Sequence, residues 1–307
     1  MKDNIIKKSY IAAFGIENKS LKNLMTINTK CMIDDDTQRY VYIDNNRLKD
    51  ELIYYNFYGE KPQHNSILNI LLPIMLANTN IQRSEDEAVK LMQKYVKYLK
   101  KEQYLFDYIL GTVMYNCTVH TLLENKNIEY VDLLQSIKEK IIGLVVDLDK
   151  MSTIKFQMAR INFIQEIDKY MELKVEDYDD SKIITTVLNI LYDIYIEDRE
   201  ISIDGIESMK KSILSILGED GEEEIDNIDF TLSMSEYIIK LRKYKINKKV
   251  YNQSADPRSL IGLNEGESKL DPILNQITIV SKNFSDNILR VKVQSKSGEY
   301  TLKFKKS

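Results

Sequence analysis

A mainly α-helical body followed by a small antiparallel β unit is the class this sequence predicts, and three observations predict it. Breakers are scarce, with 4 prolines and 10 glycines in 307 residues, so long stretches can run as helix. Apolar residues recur at spacings of three and four through Lys243. Near the C-terminal end the spacing changes to two.

The first segment, MKDNIIKKSYIAAFGIENKS, begins with basic residues. Its apolar stretch is short and breaks at Gly15-Ile16-Glu17-Asn18 without a convincing cleavage site, so it reads as a first helix rather than a leader. No segment approaches the roughly 18 uncharged apolar residues that a membrane span needs, and the expectation is a soluble, cytoplasmic protein. Ser66 to Ala77 holds Pro73, which predicts a turn or kink. From Glu87 to Lys100, Ala88, Leu91, Met92, Tyr95, Val96 and Leu99 form one apolar face, opposite Lys90, Lys94, Lys97 and Lys100. Tyr104 to Leu123 is apolar nearly all round, as a helix at the centre of a large α domain should be. Further helices are expected over Val131 to Leu148, Ile154 to Met171, Lys182 to Ile196, Gly205 to Leu217 and Leu232 to Lys243.

From Tyr251 to Pro272 the run is rich in Ser, Asn and Gly and contains two prolines, which reads as a linker or long loop. Beyond it QITIVSK, ILRVKVQ and YTLKFKK alternate apolar with polar residues, and Ser297-Gly298 supplies a turn between the last two. The expected organisation is an all-α domain over residues 1–250, a connection over 251–272 and a β unit over 273–307. Three short strands are marginal alone, so this unit should pack on the helical body or on a partner.

The formal net charge is −4, from 43 basic and 47 acidic residues mixed along the chain, and there is no basic footprint for nucleic acid. Cys31 and Cys117 show no CxxC spacing, so neither a disulfide framework nor a zinc set is expected. With His64 and His120 as the only histidines, most multi-histidine metal sites are excluded and a Ser-His-Asp triad has little room. His120 reads as a structural histidine and His64 as a loop residue. Tyr54, Tyr55 and Tyr58 could stack on an adenine, although aromatic residues at helical spacing are more often core. The acidic EDYDD stretch, Glu176 to Asp180, reads as a solvated connection.

Two acidic clusters carry the chemistry. The first is MIDDDTQRY, Met32 to Tyr40, and the second is LGEDGEEEID, Leu217 to Asp226. Taken alone, Asp34-Asp35-Asp36-Thr37 reads as a helix N-terminus, where Asp and Thr satisfy orphan amides. The second cluster alone reads as an acidic turn with Gly218 and Gly221 as the helix stop. The functional alternative is a divalent-cation site, because hard Mg²⁺ prefers neighbouring carboxylate and hydroxyl oxygens.

In their order these features resemble the ADP-ribosylglycohydrolase family, related to the dinitrogenase-reductase-activating glycohydrolases. That family has a Ser/Thr-Asp-Asp-Thr-Gln stretch where this chain has Asp34 to Gln38. It has a Gly-Asn-Gly element before an apolar run with Pro, matched here by His64-Asn65-Ser66 and ILNILLPI, and a late Gly-Gly-Asp-x-Asp-Thr, matched by Gly218 to Glu223. The resemblance implies an orthogonal all-α fold and a pair of Mg²⁺ ions held by Asp35 and Asp36 on one side and Asp220 and Glu222 on the other. Asn65 would lie near the ADP-ribose, and water would attack its anomeric carbon. Asp34 stands where the family has a hydroxyl, Glu222 where it has Asp, Glu223 where it has Thr, and Glu219 where it has Gly. The first expected function is therefore hydrolysis of an ADP-ribosyl or related glycosidic bond. The alternative is an inactive member that binds a ligand or a protein, the latter through the C-terminal β unit.

Overall fold

The computed structural model describes residues 2–62, 67–175, 179–199, 203–219, 221, 225–247 and 249–305. The helices are α1 (Lys2–Ala12), α2 (Lys19–Cys31), α3 (Asn45–Tyr58), α4 (Leu72–Ala77), α5 (Ile81–Tyr98), α6 (Leu105–Glu124), α7 (Tyr130–Gly143), α8 (Lys150–Met171), α9 (Ile183–Tyr195), α10 (Asp204–Leu217) and α11 (Ile228–Arg242). The strands are β1 (Met32–Asp35), β2 (Tyr40–Ile43), β3 (Ser268–Asp271), β4 (Asn275–Ser285), β5 (Ile288–Ser295) and β6 (Gly298–Lys305). The chain is mainly α, with the small antiparallel β unit at its C-terminal end.

Helix α6 occupies the middle because its sequence leaves it no polar face. Every residue from Tyr108 to His120 is buried, and α5, α7, α9, α10 and α4 pack around it. Its buried polar side chains turn their hydrogen bonds inward: Thr112 and Thr118 donate to the carbonyls of Tyr108 and Met114, at 2.7 and 2.9 Å. Asn116 Oδ1 accepts from Ser84 Oγ at 2.6 Å. Pro73 sits in the first turn of α4, after a 3₁₀ turn over Asn69–Leu71, where its missing N–H leaves no helix bond unmade. Helix α7 stops at Gly143, short of the expected Leu148, and Asp149 caps the next helix by accepting from Met151 N and Ser152 N.

The C-terminal sheet has four strands in the order β3-β4-β5-β6. Asp286 and Asn287, both at positive φ, form the two-residue turn between β4 and β5, as a type I′ hairpin requires. The added strand, β3, lies inside the 251–272 stretch that read as a loop. That stretch also holds a 3₁₀ turn over Pro257–Leu260 and buries Tyr251 and Leu260. Its order comes from side-chain acceptors on α3 and its N-cap rather than from apolar periodicity. Asp44 Oδ2 accepts from Tyr251 N at 2.5 Å, while Asp50 Oδ2 accepts from Tyr251 Oη at 3.0 Å and from Ala255 N at 3.1 Å.

Helix α3 therefore faces two ways. Leu48, Leu52 and Tyr55 join the helical core, whereas Tyr54 joins the core of the sheet with Ile277, Ile279, Val291, Val293, Leu302 and Phe304. Phe57 packs on Phe304 with ring centroids 5.0 Å apart, and Tyr58 meets Tyr300 edge-on at 4.7 Å. Tyr54 Oη donates to Asp271 Oδ2 at 2.8 Å, and Asp271 Oδ1 accepts from Ile273 N and Leu274 N, both at 2.8 Å.

Asp271→Ala leaves those three buried donors without an acceptor. We expect a loss of about 2–4 kcal/mol in denaturant unfolding, against about 1–1.5 kcal/mol for Tyr54→Phe. Equal losses for the two variants would mean that the turn amides find other partners.

Candidate binding site

The MIDDDTQRY stretch is a β-hairpin, not the helix N-terminus that its Asp and Thr residues suggested. Met32 pairs with Ile43 and Asp35 with Tyr40, so YVYI supplies the second strand and Asp36 to Arg39 the turn. Aromatic and β-branched residues favour the pleat, and Arg39 at a φ of 54° closes the turn. The carboxylates follow from that geometry. Asp34 is buried, and its Oδ2 accepts from Ile246 N at 2.8 Å and Asn247 N at 3.2 Å, which ties the hairpin to the chain leaving α11. Asp34 Oδ1 has no partner among the described residues. Asp35 Oδ1 accepts from Gln38 N at 2.8 Å, a side-chain bond to the backbone three residues on within the hairpin turn, and Asp36 is exposed.

Asp220, Glu222 and Asn65 lie outside the described residues, as does His64. Among the described residues no group of three or more His, Cys, Asp or Glu side chains could hold a metal ion. The described donors suit backbone capping better than Mg²⁺ ligation, because Asp34 and Asp35 already accept from amides and only Asp36 faces solvent without an amide partner.

Tyr54 and Tyr55 are fully buried and offer no stacking face. His120 is buried near the end of α6 with a hydrogen bond to the Met75 backbone. Burial, with Arg242 and Lys2 nearby, pushes its imidazole down to about 4. Cys31 and Cys117 are both buried thiols, and burial raises the Cys117 thiol.

A groove beside the β unit runs along β6. It holds about 480 Å³ and is lined by Asn18, Lys19, Ser20 and Asn23 at the start of α2, by Tyr58, Gly59 and Glu60 at the end of α3, and by Glu299, Tyr300, Thr301 and Lys303. Consecutive residues of β6 line it although their side chains alternate between faces, so the groove follows the strand's edge. Among the described residues β6 pairs only with β5, and its other edge carries no strand. In an antiparallel ladder alternate residues of such an edge direct both N–H and C=O outward. Tyr55 fastens the walls, since its hydroxyl donates to Glu60 O and lies 3.5 Å from Ser20 O. Gly59 permits that approach, because a Cβ there would stand 2.2 Å from the Tyr55 ring. Tyr300 is kept neutral by burial, which pushes its phenol up to about 12.

Comparison with protein-family models, with curated proteins and with solved structures finds no match to this chain. The groove was not legible in the sequence, because no local pattern places residues 18–23 beside residues 299–303.

His120 yields a pH prediction. Its folded pKa lies below the ordinary 6.5, so the unfolded chain binds the extra proton first. Stability is full above about 6.5 and falls as pH drops toward about 4, by on the order of 3 kcal/mol. His120→Gln should flatten this slope in urea melts over that range; an unchanged slope would assign the acid sensitivity to other groups.

Proposed function

We propose that this chain is a non-hydrolytic binding module, on a helical scaffold of the ADP-ribosylglycohydrolase type, that takes an extended peptide along the open edge of β6. The order of the sequence motifs supports the scaffold. The observation that carries the function is the groove, where an edge strand of eight residues lies beside side chains that can meet an incoming backbone. Strand addition of this kind draws affinity from main-chain hydrogen bonds and selectivity from the pockets beside them. Lys303 and Lys305 on the exposed face discourage unselective pairing of the edge, while the wall formed by α2 admits only a segment that fits.

The hydrolytic reading asks Asp35 and Asp36 to share Mg²⁺ with Asp220 and Glu222, and to hold ADP-ribose near Asn65. The amide contacts of Asp34 and Asp35 support the binding reading instead, since a carboxylate serving as a backbone cap has fewer lone pairs free for a metal. If Mg²⁺ were bound, it would polarise a ribose hydroxyl and a water. This chain's own described contribution would be the single exposed carboxylate of Asp36.

Two measurements separate the readings. Screening extended peptides on an array should return binders that slow hydrogen exchange at β6 amides. Asn23→Trp, which fills the groove, should weaken them at least tenfold without lowering Tm. Binders that protect amides elsewhere would sink the strand-addition proposal. Mg²⁺ with ADP-ribose should leave Tm unchanged; a rise that Asp35→Ala abolishes would restore the hydrolytic reading.

A further inference from the structure

Helix α8 presents a second surface, separate from the β6 groove and independent of it. Phe156, Phe163, Ile167 and Tyr170 bury one face of this helix. On the opposite face Met151, Ile154, Met158 and Ile161 are each half to two-thirds exposed. Their spacing of three, four and three is that of the a and d positions of a heptad. Exposed apolar residues scattered singly are ordinary, but a continuous row marks a surface that another molecule covers. The row runs straight along one face of α8 for about three turns, a seam that the apolar face of an amphipathic helix can cover. The two methionines can adapt their shape to whatever packs there.

The residues flanking the row decide the partner. Lys150, Lys155, Gln157 and Asn162 occupy the positions beside it, all exposed, and none is a carboxylate. Neither Lys150 nor Lys155 makes an ion pair among the described residues, whereas Lys169 further along is already paired with Glu166 at 2.6 Å. A second copy of α8 has no carboxylate at its e or g positions to meet these lysines, and packed in parallel it would set Lys150 against Lys155, which those positions disfavour. Acidic flanks on a different helix would meet both lysines. Arg160 steadies the seam from the side. It stacks on Phe156 and donates to Ile142 O at 3.0 Å and Leu144 O at 2.8 Å, holding the connection from α7, with exposed Ile142 and Val145, against α8.

We propose that the exposed face of α8 is the docking seam for an amphipathic helix of a partner protein, with acidic residues flanking its apolar row. The probe is a synthetic helix of about four heptads with Leu at a and d and Glu at e and g, compared with the same peptide carrying Lys at e and g. The Glu peptide should bind the full chain and weaken as salt rises, and the Lys peptide should bind at least tenfold more weakly. Met158→Asp, at an exposed position, should weaken the Glu peptide at least tenfold with Tm unchanged. Asn23→Trp should not affect it, which separates this seam from the β6 groove. Equal binding of the two peptides, or none of either, overturns the proposal. So does a protein that sediments as a dimer and becomes monomeric on Met158→Asp, since the seam then belongs to a second copy.

Discussion

Helix α3 is shared between two hydrophobic cores, and the bond from Tyr54 Oη to Asp271 Oδ2 is where they are joined. A carboxylate as buried as Asp271 is costly unless its lone pairs are filled, and here the phenol and two turn amides fill them. Charge-assisted bonds of this kind contribute about 1.5–3 kcal/mol each, enough to hold a small sheet that would be marginal by itself. The same helix supplies Asp50 and Glu51, and its N-cap is Asp44. Asp44 and Asp50 hold the chain around Tyr251, and Glu51 meets Lys30 at 2.7 Å while Lys30 Nζ donates to Ile273 O at 2.9 Å. A polar-looking connection is thus ordered by acceptors that lie some two hundred residues earlier in the chain.

Docking the sheet on α3 also creates the groove. Because Tyr300, Leu302 and Phe304 must face α3, the period of two turns Thr301, Lys303 and Lys305 outward and leaves the edge of β6 beside the start of α2. The seam on α8 has a different origin. It lies on the face of a peripheral helix whose opposite side already satisfies the core, so its apolar row is not required by folding.

Much of the helical body was legible because helices announce themselves through contacts three and four residues apart. Ala88, Leu91, Met92, Tyr95 and Val96 are all buried, and the all-round apolar α6 lies at the centre. The alternation in YTLKFKK also translated directly into burial along β6. Helices α2 and α3 show no unbroken apolar stripe in sequence although Asn18 and Asp44 cap them, because both carry polar residues on faces that become buried only in the fold. The hairpin resembles a helix start in sequence because Asp and Thr serve both purposes, and only the pairing of MIDD with YVYI distinguishes them. Strand β3 leaves no period-two signal because four residues give too short an alternation.

By itself the sequence determined the class: helices to Arg242, then a sheet, with no long apolar span and no cysteine framework. Periodicity and composition are local properties, and local properties are what a sequence displays. Only the tertiary structure decided what the acidic residues of the first cluster do. Whether a carboxylate caps an amide or faces a ligand depends on what stands 3 Å from its oxygens, and for Asp34 that is the backbone of Ile246 and Asn247, brought there by the packing of α11 and not by any motif.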